Sequence, residues 1–362
     1  MGSVQLPKDA LQRVQLGQSF AEYDIIRKST ELFVSTPATL AALNLDNTSC
    51  FFIGRRGAGK TAITIEVERR ISKSITIVPQ IFDLLKLPLQ HEEFLDTRQR
   101  PFKSLMHSME RALIDEVIKT WNEKLGFDFS KAPESIRKER SLIEDCDFDQ
   151  RVLNLVEEIF EAYTKENEKL WLRQINRSKK LIQEVNGLEL NANHNFILLI
   201  DRLDESWDGS DSAIICLMAL MHATVRLIAS TPYVKPYVFI RENIYDRIRA
   251  RDNEFARLET SVVFLEWTTE KLTELVERRL VRPFTAKPKL GGEAWGHFFD
   301  GDKDKSIERV MQICQHRPRD VLMLTSYSID SAISRNNKTI TEDNLVYAAK
   351  RYSTSRLKDL GD

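Results

Sequence analysis

The run Gly54-Arg55-Arg56-Gly57-Ala58-Gly59-Lys60-Thr61 fits the spacing G-x-x-x-x-G-K-[ST] without departure. Glycines at these positions let backbone N–H groups turn inward around an anion with no Cβ in the way. The lysine that follows them is spaced to reach β- and γ-phosphates, and the next hydroxyl is spaced to ligate Mg²⁺. The helix expected after the loop, on the apolar residues Ala62, Ile63, Ile65 and Val67, aims its N-terminal partial positive charge at the same anion. The chemistry implied is binding of a magnesium nucleoside triphosphate, with Gly54 to Ala62 as the cradle. No Asn/Thr-Lys-x-Asp run that would read guanine occurs, so ATP is the expected nucleotide.

Three further groups could act on such a ligand. The apolar run Phe196–Ile200 ends in Asp201-Arg202-Leu203-Asp204-Glu205. A carboxylate at the tip of a buried strand is expensive unless something there needs it. Asp201 is expected to hold Mg²⁺ beside Thr61, and Asp204 or Glu205 to polarise the attacking water; the competing reading is an acidic first turn of a helix. Arg241 ends the run Tyr237–Ile240 and could read the γ-phosphate, unless it is a surface arginine paired with Glu242 or Asp246. His316-Arg317-Pro318-Arg319-Asp320 opens a helical segment, where Arg319 could reach a nucleotide; the alternative is a capping turn with solvated arginines.

Elements able to position these residues follow from the apolar pattern. Strands are expected at Cys50–Ile53, Ser74–Val78, Phe196–Ile200, Tyr237–Ile240 and Val262–Leu265, with a helix after the glycine-bearing loop and a long apolar helix over about 212–229. Strand, glycine loop, helix, strand is an α/β signature. Residues up to about 44 are helical in pattern. Residues from about 90 to 187 are Glu/Lys/Arg/Leu-rich with helical spacing, as at Leu105, Met109, Leu113 and Val117, and read as a helical insertion. After Trp267 helices are expected near 270–280, 304–314, 319–334 and 341–357. The expected domains are 1–44, an α/β core over 45–267 and a C-terminal helical domain over 268–362.

Lys plus Arg total 53 against 54 for Asp plus Glu, so no global field draws the chain to a polyanion or a membrane. Local basic stretches run from Arg173 to Lys180 and from Arg278 to Lys289, including Arg279, Arg282 and Lys287. Both read as solvated helix faces, and neither is expected to interleave exposed aromatics as single-strand binders do. Four cysteines (Cys50, Cys146, Cys216, Cys314) show no CxxC spacing and read as idle thiols rather than a disulfide frame or zinc site. The start Met1-Gly2-Ser3 has no basic-then-apolar leader pattern. No apolar run is expected to approach the roughly 20 residues that span a bilayer. A cytoplasmic protein is expected.

The loop Gly-Arg-Arg-Gly-Ala-Gly-Lys-Thr, the run Ile-Asp-Arg-Leu-Asp-Glu, the strand end Phe-Ile-Arg-Glu and the segment Arg-Pro-Arg-Asp together resemble the AAA+ and STAND group of P-loop ATPases, in particular bacterial STAND-like and KAP-like members, several of which act in defence against phage. The resemblance spans about 17–355. It implies a P-loop NTPase core with a central parallel sheet, a helical insertion and a C-terminal α-helical lid. By the same resemblance Arg241 matches the arginine of the sensor strand, and Pro318 and Arg319 match a lid motif that contacts the nucleotide. Arg202 stands where AAA+ proteins carry Glu, which moves the catalytic carboxylate to Asp204 or Glu205. Relatives place a finger for a neighbouring subunit near Arg247, Arg249, Arg251 or Arg257. The implied function is an ATP-hydrolysing switch that forms homo-oligomers and acts on a separate effector protein. A DNA-loading or DNA-remodelling ATPase, a small-molecule P-loop kinase and a weakly hydrolysing scaffold are the alternatives, and nucleic acid stays open as a partner.

Overall fold

The computed structural model describes residues 7–18, 21–71, 74–79, 96–125, 128–165, 168–188, 196–284 and 292–359. In chain order its first elements are α1 (Ala10–Arg13), α2 (Pro37–Leu43), β1 (Phe51–Ile53), α3 (Lys60–Arg70), β2 (Ser74–Ile77), α4 (Arg100–Leu125), α5 (Glu134–Asp145), α6 (Phe148–Thr164) and α7 (Glu168–Asn186). There follow β3 (Phe196–Ile200), α8 (Asp211–Ser230), β4 (Val234–Ile240), α9 (Glu242–Arg251), α10 (Ala256–Glu259), β5 (Val262–Phe264), α11 (Thr269–Val281), α12 (Glu293–Phe298), α13 (Lys303–Ile313), α14 (Pro318–Ser334) and α15 (Glu342–Asp359). They pack as two compact units: Ala41–Arg55 with Thr64–Phe264, and Met1–Leu40 with Arg56–Ile63 and Leu265–Asp362.

The first unit is α/β. Its sheet has five strands in the order β2-β3-β4-β1-β5, and every pairing is parallel. β1, β3 and β4 are buried along their whole length, as central parallel strands covered on both faces are. β4 begins earlier than its apolar run suggests, because Pro236 lies inside it. The Val238 N–H donates to Cys50 O (2.8 Å), so the Pro236 nitrogen two residues back faces the same side, beyond the point where β1 begins pairing. The ladder therefore loses no bond to the missing N–H.

The helical insertion packs α4 against α5, α6, α7 and α8. α8 is long and apolar enough to cross a membrane by length and composition, contrary to the sequence expectation, yet most of its apolar window is buried inside the protein. The insertion also buries charge. Arg111 pairs with Glu139, Arg177 reaches the same carboxylate at 3.1 Å, and Arg151 pairs with Glu116. Asp115 lies among them, buried, and burial pushes its carboxyl up to about 7 from 3.8; the Arg111, Arg151 and Arg177 charges pull it down and Glu139 opposes them.

The second unit is helical. Leu272, Val276, Trp295, Phe298, Val321 and Leu324 form part of one apolar core, joined by Leu11 and Val34 from the N-terminal segment. That segment is less helical than its pattern suggests. It contains α1, α2 and single 3₁₀ turns at Ala21–Tyr23, Ile25–Arg27 and Thr30–Leu32, because Gly17 turns with φ +90° and Asp24 caps a turn by accepting from the Ile26 N–H. Asp24 also pairs with Arg279, 3% exposed on α11, which donates further to Leu16 O and Leu32 O.

A carboxyl whose folded pKa is raised contributes stability that is fully present below its unfolded value near 3.8 and is lost as pH rises through about 7. Thermal stability of the wild type should therefore fall between pH 4 and pH 8 relative to Asp115→Asn, by on the order of a few kcal/mol. Calorimetry of both proteins at pH 5 and pH 8 checks this; parallel pH dependence in the two would contradict it.

Candidate functional site

Because the strands of the α/β unit are all parallel, their carboxyl ends emerge at one edge. The Ile53↔Ile240 register sets Gly54 beside Arg241, and the Ile200↔Val238 register brings Asp201 to the same edge on the far side of β4. Backbone bonds extend the ladder one residue past each strand, from Gly54 N to Ile240 O and from Asp201 N to Ile77 O (both 3.1 Å). Asp201 is 2% exposed, as its position at the end of an apolar strand requires.

The residue after it is strained. Arg202 has φ +61°, a left-handed conformation that costs a non-glycine residue roughly 1–2 kcal/mol. It starts a tight turn in which the Glu205 N–H donates to Arg202 O (3.0 Å). The turn separates the neighbouring carboxylates. Asp204 pairs with Arg241, so the partner of that arginine in the structure is Asp204 and not the expected Glu242 or Asp246. Glu242 instead pairs with Arg55 at 2.6 Å. Glu205 is exposed, with the Arg202 guanidinium 3.8 Å away.

Residues Arg56–Ile63 of the glycine-bearing loop pack within the helical unit. Gly57 and Gly59 have φ +82° and +100°, where any Cβ would be strained. Helix α3 starts at once: Ile63 N–H already bonds Gly59 O (3.1 Å), leaving the N–H groups of its first turn without acceptors inside the helix. Lys60 is 8% exposed and Ala58 3%. Arg319, the second residue of α14, lies on the loop: its backbone N–H approaches Gly57 O at 3.4 Å, and a Cβ on Gly57 would stand 2.7 Å from the Arg319 Cβ. The Trp267 indole Nε1–H donates to Ala58 O at 2.8 Å. Pro318 opens α14 at its first position, where a missing N–H costs nothing.

The capping turn at 316–320 is more tightly bound than solvated arginines would be. Arg317 Nε donates to Asp320 at 2.5 Å, and Asp320, fully buried, also accepts from the Tyr352 hydroxyl at 2.9 Å. Burial and the Asp320 charge push the Tyr352 hydroxyl up to about 12, so it is a hydrogen-bond donor throughout the physiological range. The candidate subunit-bridging arginines all have local partners: Arg247 donates to Gly209 O, Arg249 pairs with Glu259, Arg251 with Asp211 and Arg257 with Glu254. Of the basic stretches, Arg173 is exposed, but Arg279 is buried on Asp24 rather than solvated, a correction that follows from the N-terminal segment folding onto α11. Lys287 and Lys289 lie outside the described residues.

Trp267 and Asp320 were not singled out from sequence. Asp320 lies inside the Arg-Pro-Arg-Asp segment, where a first-turn acid flanked by arginines is its sequence signal. Trp267 carried no spacing signal.

The fold is thus an α/β unit with an all-parallel five-stranded sheet, together with a helical unit that holds most of a glycine-bearing loop. Residues 270–361 match the FunZ-associated C-terminal helical domain. Over 172 residues, 47% of this chain, the sequence is 28% identical to a quarter (25%) of the putative transposon gamma-delta 80.3 kDa protein of Escherichia coli (strain K12). Over 125 residues, 34% of the chain, it is 30% identical to 66% of the allergen Alt a 2 of Alternaria alternata. The chain therefore spans less than two thirds of either relative's length.

Gly301 has φ +88° and open space within 4 Å of where a Cβ would stand, so it isolates backbone strain from the contact at Gly57. Gly301→Ala should cost about 1 kcal/mol in guanidinium denaturation, and Gly57→Ala about 1–3 kcal/mol more from the added clash. Equal losses would show that the approach of Arg319 to the loop is loose.

Proposed function

We propose that the protein binds Mg-ATP at Gly54–Thr61 and hydrolyses it, using nucleotide state as a switch over its own assembly or over a separate effector protein. The observation that carries this reading is the loop itself, with Gly57 and Gly59 both at positive φ, running from a fully buried strand to a helix N-terminus with Lys60 buried at the junction. The donor set fits the group. Lys60 and the first-turn N–H groups of α3 suit phosphate oxygens, while Thr61 and Asp201 would hold Mg²⁺. The ion, when bound, neutralises charge that builds on the phosphate oxygens during transfer.

The protein's own residues then divide the work. Asp204 holds Arg241 in an ion pair, which supports Glu205 as the carboxylate that accepts a proton from the attacking water. Arg241 and Arg319 serve as sensors of the γ-phosphate, so the switch responds to ATP and not to ADP. In this reading the FunZ-associated segment acts as the lid, and defence against phage is the setting that the family resemblance implies. A second reading, a DNA-loading or DNA-remodelling ATPase, draws support from a relative whose name places it in a transposon. DNA binding that strengthens with ATP and weakens steeply with salt would favour it.

Lys60→Ala should abolish ATP binding in calorimetric titration. Glu205→Gln should keep binding within a few-fold and lower the hydrolysis rate on the order of 10²-fold; full turnover in that variant would move the role to Asp204 or remove it. Arg241→Ala and Arg319→Ala should each erode the preference for ATP over ADP, and an unchanged preference in both would refute the sensor roles.

A further inference from the structure

The glycine-bearing loop is held from behind. Its carbonyls at Gly57 and Ala58 accept from Arg319 N (3.4 Å) and from Trp267 Nε1 (2.8 Å). Both donors are fixed in the helical unit. The Trp267 ring packs against the apolar core formed by α11–α15, and Arg319 sits in the first turn of α14 beside the buried Asp320.

A trans peptide is planar, so its C=O and N–H point in opposite directions, and no peptide bond among the described residues is cis. Fixing the Gly57 carbonyl outward therefore aims the Ala58 N–H to the other side of the loop. Fixing the Ala58 carbonyl does the same for the Gly59 N–H. These are two consecutive donors of the kind that line an anion nest. A Cβ added to Gly59 would stand 3.8 Å from Trp267 Cζ2, in van der Waals range of the indole.

We propose that Trp267 is a positioning residue: its indole N–H, together with the Arg319 backbone N–H, preorients the Ala58 and Gly59 N–H groups for phosphate, so that the helical unit sets the anion affinity of the loop. The idea rests on the phosphate-binding reading above, but the clamp itself is a property of the ligand-free protein. Preorganisation of this kind raises affinity by removing the cost of ordering the loop during binding. Because Ala58 and Gly59 would serve phosphates that ATP and ADP share, Trp267 affects both nucleotides alike, unlike the sensor arginines. Any local rearrangement that withdraws the indole from Ala58 weakens the grip on product as well as substrate.

The test is Trp267→Phe in the full chain, which keeps a ring in the core and deletes one N–H. In the absence of nucleotide, the population of an open loop conformer, read as conformational-exchange broadening of the Ala58 and Gly59 amide resonances, should rise about five- to tenfold, the scale of one lost hydrogen bond, while exchange across α14 and α15 stays as in the wild type. The dissociation constants for Mg-ADP and Mg-ATP should rise together by a similar factor. Unchanged loop broadening would overturn the clamp. Greater broadening with both affinities unchanged would overturn its link to anion binding. If the wild type binds no nucleotide while broadening still rises, the clamp stands and the phosphate reading fails. Should the variant not fold, the ¹⁵N-indole resonance of Trp267 in the wild-type protein gives the same answer: protection from exchange and a shift on adding ADP support the clamp, and rapid exchange of that proton overturns it.

Discussion

Three central strands of a parallel sheet, β1, β3 and β4, are buried along their whole length and leave the sheet few places to carry charge. Polar side chains on the central strands would face desolvation without partners, so charge concentrates where the strands end. Parallelism puts all those ends at one edge. Asp201, Arg241 and Gly54 meet there because they are the first residues past β3, β4 and β1. Asp204, brought back by the strained turn at Arg202, neutralises Arg241, and Arg55 does the same for Glu242. Paired charges therefore line the edge where β1, β3 and β4 end.

The helical unit solves a different problem. Its core accepts an N-terminal segment that has little regular structure of its own, and the Asp24–Arg279 pair with its carbonyl partners holds that segment to α11. A desolvated guanidinium of this sort is costly to leave unpaired, which makes it more effective as a register device than as a source of net stability. Near the loop, the same unit offers main-chain and indole donors to the Gly57 and Ala58 carbonyls. In the function proposed above, affinity and helical packing would be linked through these hydrogen bonds.

Much of the fold was legible in sequence because parallel strands are continuous apolar runs and the C-terminal helices are strongly periodic. β1, β2, β3 and β5 lie within a residue of their expected ends. β4 was read short because Pro236 marks a break locally, whereas the β1 strand that would need its N–H has not yet begun. The N-terminal segment looked helical by composition; Gly17 and the capping carboxylate of Asp24 turn it into short 3₁₀ pieces, a tertiary effect with no periodic signature. Of the site, Asp201, Arg241, Arg319 and the glycine loop were identifiable as strand-end and helix-start residues. The partners were not: Asp204 for Arg241, Asp24 for Arg279 and Trp267 for Ala58 lie 37, 255 and 209 residues away in sequence.

The central claim is that the loop Gly54–Thr61 takes the phosphates of a magnesium nucleotide. Thermal unfolding of the full chain with increasing Mg-ATP tests it most directly, because a ligand that binds only the folded state raises stability by RT ln(1 + [L]/Kd). Phosphate binding at this loop should give a midpoint that climbs with the logarithm of Mg-ATP concentration in the wild type and stays flat in Lys60→Ala. A flat wild-type response up to millimolar Mg-ATP, or an equal rise in both proteins, would contradict it.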